Sequence, residues 1–145
     1  MVKRVAYYQA NPQLIHSKDF ASAAEYDSNE LGEFCVKLTA ANIIENVMAN
    51  ACAEAAKAGA FIILFPELFL AGTYYLSKKL AIAMAEKSNG PSSKLLANIA
   101  KKFNIAIVYG YIEQCAESDR LYNSMNMISE KGVVIKVSDN YTSYR

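Results

Sequence analysis

The residue most ready for chemistry is Glu67. It lies in Phe65-Pro66-Glu67-Leu68-Phe69, directly after the apolar run Phe61 to Phe65. That run reads as a strand, and open α/β sheets gather ligands beyond the carboxyl ends of their strands. A carboxylate among apolar neighbours loses solvation, so its pKa climbs toward neutrality and suits general acid–base work. The same residue in the same place also fits a carboxylate that caps the following turn or pairs with a lysine. Local chemistry leaves both roles open. Two further polar residues are candidates for substrate contact. Asn123, in Leu121-Tyr122-Asn123-Ser124, is either a site amide or a plain buried one. Glu113, three residues after Gly110, is either a site carboxylate or a strand-edge charge.

The remaining reactive side chains are few. The three cysteines are Cys35, Cys52 and Cys115. An odd count, wide spacing and no Cys-x-x-Cys pair argue against a disulfide framework and against zinc. Cys52 falls on the apolar stripe of a helix and reads as a core thiol. Cys115 follows a strand and is the least implausible reactive thiol of the three. His16 is the single histidine. It cannot build a zinc site alone, so no metal is expected.

The elements that must position these residues follow from periodicity. Val2 to Tyr8 reads as a short buried strand. Residues 9–38 read as an irregular insertion with one short helix near Phe20 to Glu25. Residues 40–58 read as an amphipathic helix, because Ile44, Val47, Met48, Ala51, Cys52 and Ala55 recur at spacings of three and four. Thr39 is its expected N-cap and Gly59 its stop. Phe61 to Phe65, without alternation, predicts a strand buried on both faces, and Pro66 ends its ladder. Leu76 to Lys87 predicts a second helix. Gly90-Pro91-Ser92 breaks it and starts a third, Ser92 to Phe103. Strands follow at Ile105 to Tyr111, Leu121 to Ile128 and Val133 to Val137, the last two joined by the polar loop Ser129 to Gly132 in a hairpin. The alternation gives an α/β fold in one domain, residues 1–145.

Composition excludes several partners. The chain of 145 residues carries 15 basic and 14 acidic side chains, a net charge of +1, so nothing draws it electrostatically to nucleic acid or an anionic membrane. Its first apolar run is too short for a signal peptide or a membrane span, and the expected location is the cytosol.

The stretch from Ala53 to Gly72 resembles the opening signature of the carbon–nitrogen hydrolase, or nitrilase, superfamily. Gly90-Pro91, the segment Ile99 to Gly110, Glu113, Leu121-Tyr122-Asn123-Ser124 and Gly132 keep that family's order, over roughly residues 40–135 plus the first strand. The resemblance leans toward the amidase-like branches. It implies that Glu67 is the general base, which takes the proton from a cysteine thiol so that the thiolate attacks an amide, nitrile or carbamoyl carbon while a lysine steadies the oxyanion. No cofactor is implied.

The same resemblance sets expectations for extent. The family's fold is a four-layer α-β-β-α sandwich, and this chain reads as its incomplete N-terminal half. The family lysine follows a Tyr-Arg pair, and here the chain stops at Tyr144-Arg145. The catalytic lysine and cysteine are therefore expected to be missing, leaving the chain inactive alone. An uncovered sheet would need a partner, either another copy in a homo-oligomer or a full-length subunit. The alternative function is a non-catalytic binding or regulatory module. A flavodoxin-like nucleotide binder stands last, since there is no Gly-rich phosphate loop.

Overall fold

A computed structural model describes residues 3–9, 40–70, 78–114 and 120–142. The expected insertion at 9–38 with its short helix, the Thr39 cap, His16, Cys35, Cys115 and the Tyr144-Arg145 end lie outside the described residues, save Gln9.

The described elements run in the expected order. Strand β1 (Arg4–Tyr7) is followed by a π-helical turn (Ile43–Met48) that continues as α1 (Ala49–Lys57). Then come β2 (Ala60–Leu64), α2 (Lys78–Met84), α3 (Pro91–Phe103), β3 (Ala106–Gln114), β4 (Leu121–Ile128) and β5 (Val134–Thr142). Gly59 ends α1 with φ of +80°, a conformation glycine adopts without the Cβ penalty. Gly90 and Pro91 open α3 as N-cap and N1, because proline's missing N–H is an orphan there in any case. The other end of α3 is closed by Asn104 in the left-handed region.

The five strands form one sheet in the order β1-β2-β3-β4-β5. The first three are parallel, and β3-β4-β5 is an antiparallel meander. Register assigns two faces. One row runs Ala6, Ile63, Ile107, Ile128, Val134 across the sheet. Ile63, Ile107 and Ile128 are buried there with Ile44, Met48, Cys52, Leu96 and Ala100 of the helices. On this side Asn126 is wholly buried and holds the helix layer: its amide donates to the Ser88 carbonyl at 2.8 Å and to Ser93 Oγ and Tyr109 Oη at 3.3 Å each. Burial pushes the Tyr109 and Tyr111 phenols up, so both stay protonated donors.

The opposite row is Tyr7, Leu64, Val108, Met127, Ile135. Tyr7 is 68 % exposed, and Val5, Ile135 and Val137 are exposed as well. This corrects two expectations. β1 is mostly exposed rather than buried, and β2 is not buried on both faces, because the second face is covered only in part, by Ala81 and Met84 of α2 against Ile112 and Leu121. The expected incomplete half of an α-β-β-α sandwich is also corrected. What stands here is a connected α/β unit: a five-stranded sheet with consecutive neighbours, a main helix-side core and a smaller cluster of Ala81, Ile112 and Leu121.

Candidate active site

Glu67 begins the turn that leaves β2. Pro66 has no N–H for the ladder, so the chain departs after the Phe65 N–H bond to the Val108 carbonyl. Phe65, Phe69 and Leu70 turn into the core, while Glu67 itself is exposed. The desolvation expected from its apolar sequence neighbours therefore does not arise: they point one way and the carboxylate the other. Leu68 takes φ of +48° to make that reversal. The turn lies directly on β3, where a Cβ at Gly110 would come 2.6 Å from Leu68 N and 3.1 Å from Glu67 Cα. A glycine inside a strand marks such a close approach.

Glu67 Oε1 accepts a hydrogen bond from Asn123 Nδ2–H on β4. Asn123 stands opposite Ile112, and its neighbour Ser124 opposite Tyr111. Successive residues point to opposite faces of a sheet, so Asn123 and Ser124 serve different faces. The Glu67–Asn123 pair belongs to the side away from the main helix layer.

Glu113 belongs to the other side. It is 8 % exposed. Its Oε2 accepts from Ser124 Oγ at 2.6 Å and faces Lys136 Nζ at 3.0 Å. The sequence candidates thus divide: the fold unites Glu67 with Asn123 and sets Glu113 apart with Ser124 and Lys136. Two supporting residues escaped the sequence reading. Gly110 carried a usable signal, a glycine inside an apolar strand. Lys136 carried none, since its partner is defined only by the β4–β5 register.

The chain was expected to end before the catalytic lysine and cysteine. Both residue types are present. Lys136 stands on β5 in the ion pair with Glu113, and Cys52 stands on α1 in the helix-side core. The expectation of a chain ending before them rested on the spacing to the terminal Tyr-Arg pair and overlooked Lys136. Burial pushes the Cys52 thiol up to about 12, so it is protonated at neutral pH.

A cavity of about 510 Å³ lies between the α2–α3 connection and β3, lined by Leu70, Met84, Glu86, Ser92, Leu95 and Tyr111 among others. Glu67 does not line it. Glu86 is committed there, accepting from the Ser92 N–H at 2.9 Å and Ser92 Oγ–H at 2.8 Å at the start of α3. Among the described residues no three metal-ligating side chains cluster, and no helix is long and apolar enough to cross a membrane.

The carbon–nitrogen hydrolase family model matches residues 4–142. That is nearly the whole chain, wider than the 40–135 carried by motifs, and it overturns the reading of the resemblance as an N-terminal half only and of the chain as a fragment of the family's domain. A nitrilase of Pyrococcus abyssi is 29 % identical over 146 residues, covering 100 % of this chain and 45 % of its own length. An omega-amidase of Mus musculus is 30 % identical over 105 residues, covering 69 % of this chain and 36 % of its own. The chain spans less than half the length of these curated relatives. In structure, a carbon–nitrogen hydrolase from Helicobacter pylori G27 superposes with a TM-score of 0.57 at 16 % identity, over 70 % of this chain and 34 % of that one. This last likeness is one of fold.

Proposed function

Because the chain belongs to the carbon–nitrogen hydrolase family, we propose that it hydrolyses non-peptide carbon–nitrogen bonds of small amides, nitriles or carbamoyl compounds, with Glu67 as the general base. One observation carries the reading. Glu67 lies past the carboxyl end of a parallel strand, where such sheets bind ligands, and its Oε1 accepts from the neutral amide of Asn123. Its carboxylate is exposed.

In the reaction, Glu67 accepts the proton of a thiol as the sulfur attacks the substrate carbon. For an amide, the protonated Glu67 then gives that proton to the departing ammonia and leaves a thioester. Glu67 next takes a proton from water, whose oxygen displaces the thiol and releases the acid. The thiol that Glu67 serves is one other than Cys52, whose position in the helix-side core keeps it dry and protonated. Lys136 pairs with Glu113 on the helix side of the sheet. The names of the nitrilase and omega-amidase relatives support the substrate class.

The exposed apolar side chains Val5, Tyr7, Ile135 and Val137 at the two edges of the sheet support assembly with a further apolar surface, and a homo-oligomer is the form we propose, in the cytosol. Nothing in the net charge of +1 favours nucleic acid.

The test is an ammonia-release assay over a panel of short amides, comparing the chain with Glu67→Gln. Release that depends on Glu67 supports the proposal. Release that survives the substitution refutes it.

A further inference from the structure

We infer that Asn123 is a positioning residue for Glu67, and that Gly110 sets the platform on which the two meet. This inference rests on the reading of Glu67 as the base and adds how its carboxylate is oriented.

The argument starts from donor chemistry. An ionised carboxylate only accepts, so the amide end facing it must be the NH2 end. The bond from Asn123 Nδ2 to Glu67 Oε1 joins residues 56 apart in sequence. It is a tertiary device, not a local turn. Asn123 thereby fixes one oxygen and leaves the second to face the reacting group.

The platform is independent of that bond. Leu68 N lies so near β3 that a Cβ at residue 110 would stand 2.6 Å from it. Backbone cannot yield as a flexible side chain does. Any side chain at 110 therefore lifts the turn and carries Glu67 away from β4. Among the described residues, Glu113 is engaged with Ser124 and Lys136 on the opposite face and Glu86 with Ser92. Asn123 is the neighbour through which Glu67 can be tuned.

The test titrates the Glu67 carboxyl carbon by NMR in the full chain, labelled at glutamate, with the signal assigned by its loss in Glu67→Gln. Asn123→Asp keeps the shape and sets one carboxylate against another. It should move the Glu67 midpoint up by about one pH unit or more, as like charges do. Asn123→Ser, which keeps a shorter hydroxyl, should give a smaller upward shift and serves if the Asp variant fails to fold. Gly110→Ala should shift it in the same direction by separating the pair. A Glu67 midpoint that is the same in the Asn123 variants as in the parent overturns the inference. The base assignment fails separately, through ammonia release that ignores Glu67→Gln while the titration still responds to Asn123.

Discussion

Two glutamates stand at the same end of the sheet and on opposite faces. Glu113 is buried, with a hydroxyl and an ammonium on one oxygen. Glu67 is exposed and, among the described residues, is held by the neutral amide of Asn123. The first is neutralised where it sits, which suits a carboxylate whose work is to tie β3 to β4 and β5. The second is oriented but not neutralised, which suits one that trades protons. Chain position alone does not separate them; the parity of β4 does, sending Asn123 to one face and Ser124 to the other.

The contrast predicts opposite behaviour on substitution. Glu67→Gln should lower ammonia release about 100- to 10,000-fold, the range for loss of a general base, with unfolding by denaturant shifted less than about 0.5 kcal/mol. Glu113→Gln should do the reverse. Loss of the charged acceptor that Ser124 and Lys136 share should destabilise the fold by about 1–3 kcal/mol, measured by urea titration. Gly110→Ala should affect both sites, since its Cβ meets the Glu67–Leu68 backbone; we expect about 1–3 kcal/mol of destabilisation from the forced shift, together with loss of turnover.

Smaller effects sharpen the same division. Lys136→Met should cost about 1 kcal/mol or less, because the lysine is 42 % exposed and solvent screens its pair. A larger loss would mean that the Glu113 cluster is drier than its geometry. Cys52 gives the control on the helix side. Its folded thiol holds its proton to about 12 against an ordinary 9.0. Between those values the unfolded chain has lost a proton that the folded chain keeps. Stability is therefore unaffected by this group below about pH 9 and falls as pH rises from there. Iodoacetamide labelling, read peptide by peptide, should find Cys52 unreactive at pH 8 until denaturant is added.

Much of this arrangement is legible in the residues. The apolar runs and the 3.6-residue stripe of α1 place the strands and helices. Gly90-Pro91 and Ser129 to Gly132 punctuate them, and Pro66-Glu67 marks the end of β2. The uncovered face is not legible, because Phe61 to Phe65 is apolar throughout and carries no alternation to say which side stays open. Nor are the partners of Glu67 and Glu113, which are set by register between segments far apart in the chain. The assumption that apolar sequence neighbours bury Glu67 failed for a local reason: the positive φ at Leu68 turns Phe69 inward and leaves the carboxylate outside. The expectation that the chain ends before the catalytic lysine and cysteine failed because it followed a spacing at the chain's end and overlooked Lys136 on β5 and Cys52 on α1.

The most direct test of the division is carboxyl footprinting: carbodiimide coupling of glycine ethyl ester near pH 6, with site-resolved mass spectrometry. Glu67 should be modified at least about ten times faster than Glu113, since only the first presents its oxygens to the reagent. Equal rates, or faster labelling of Glu113, would contradict the account.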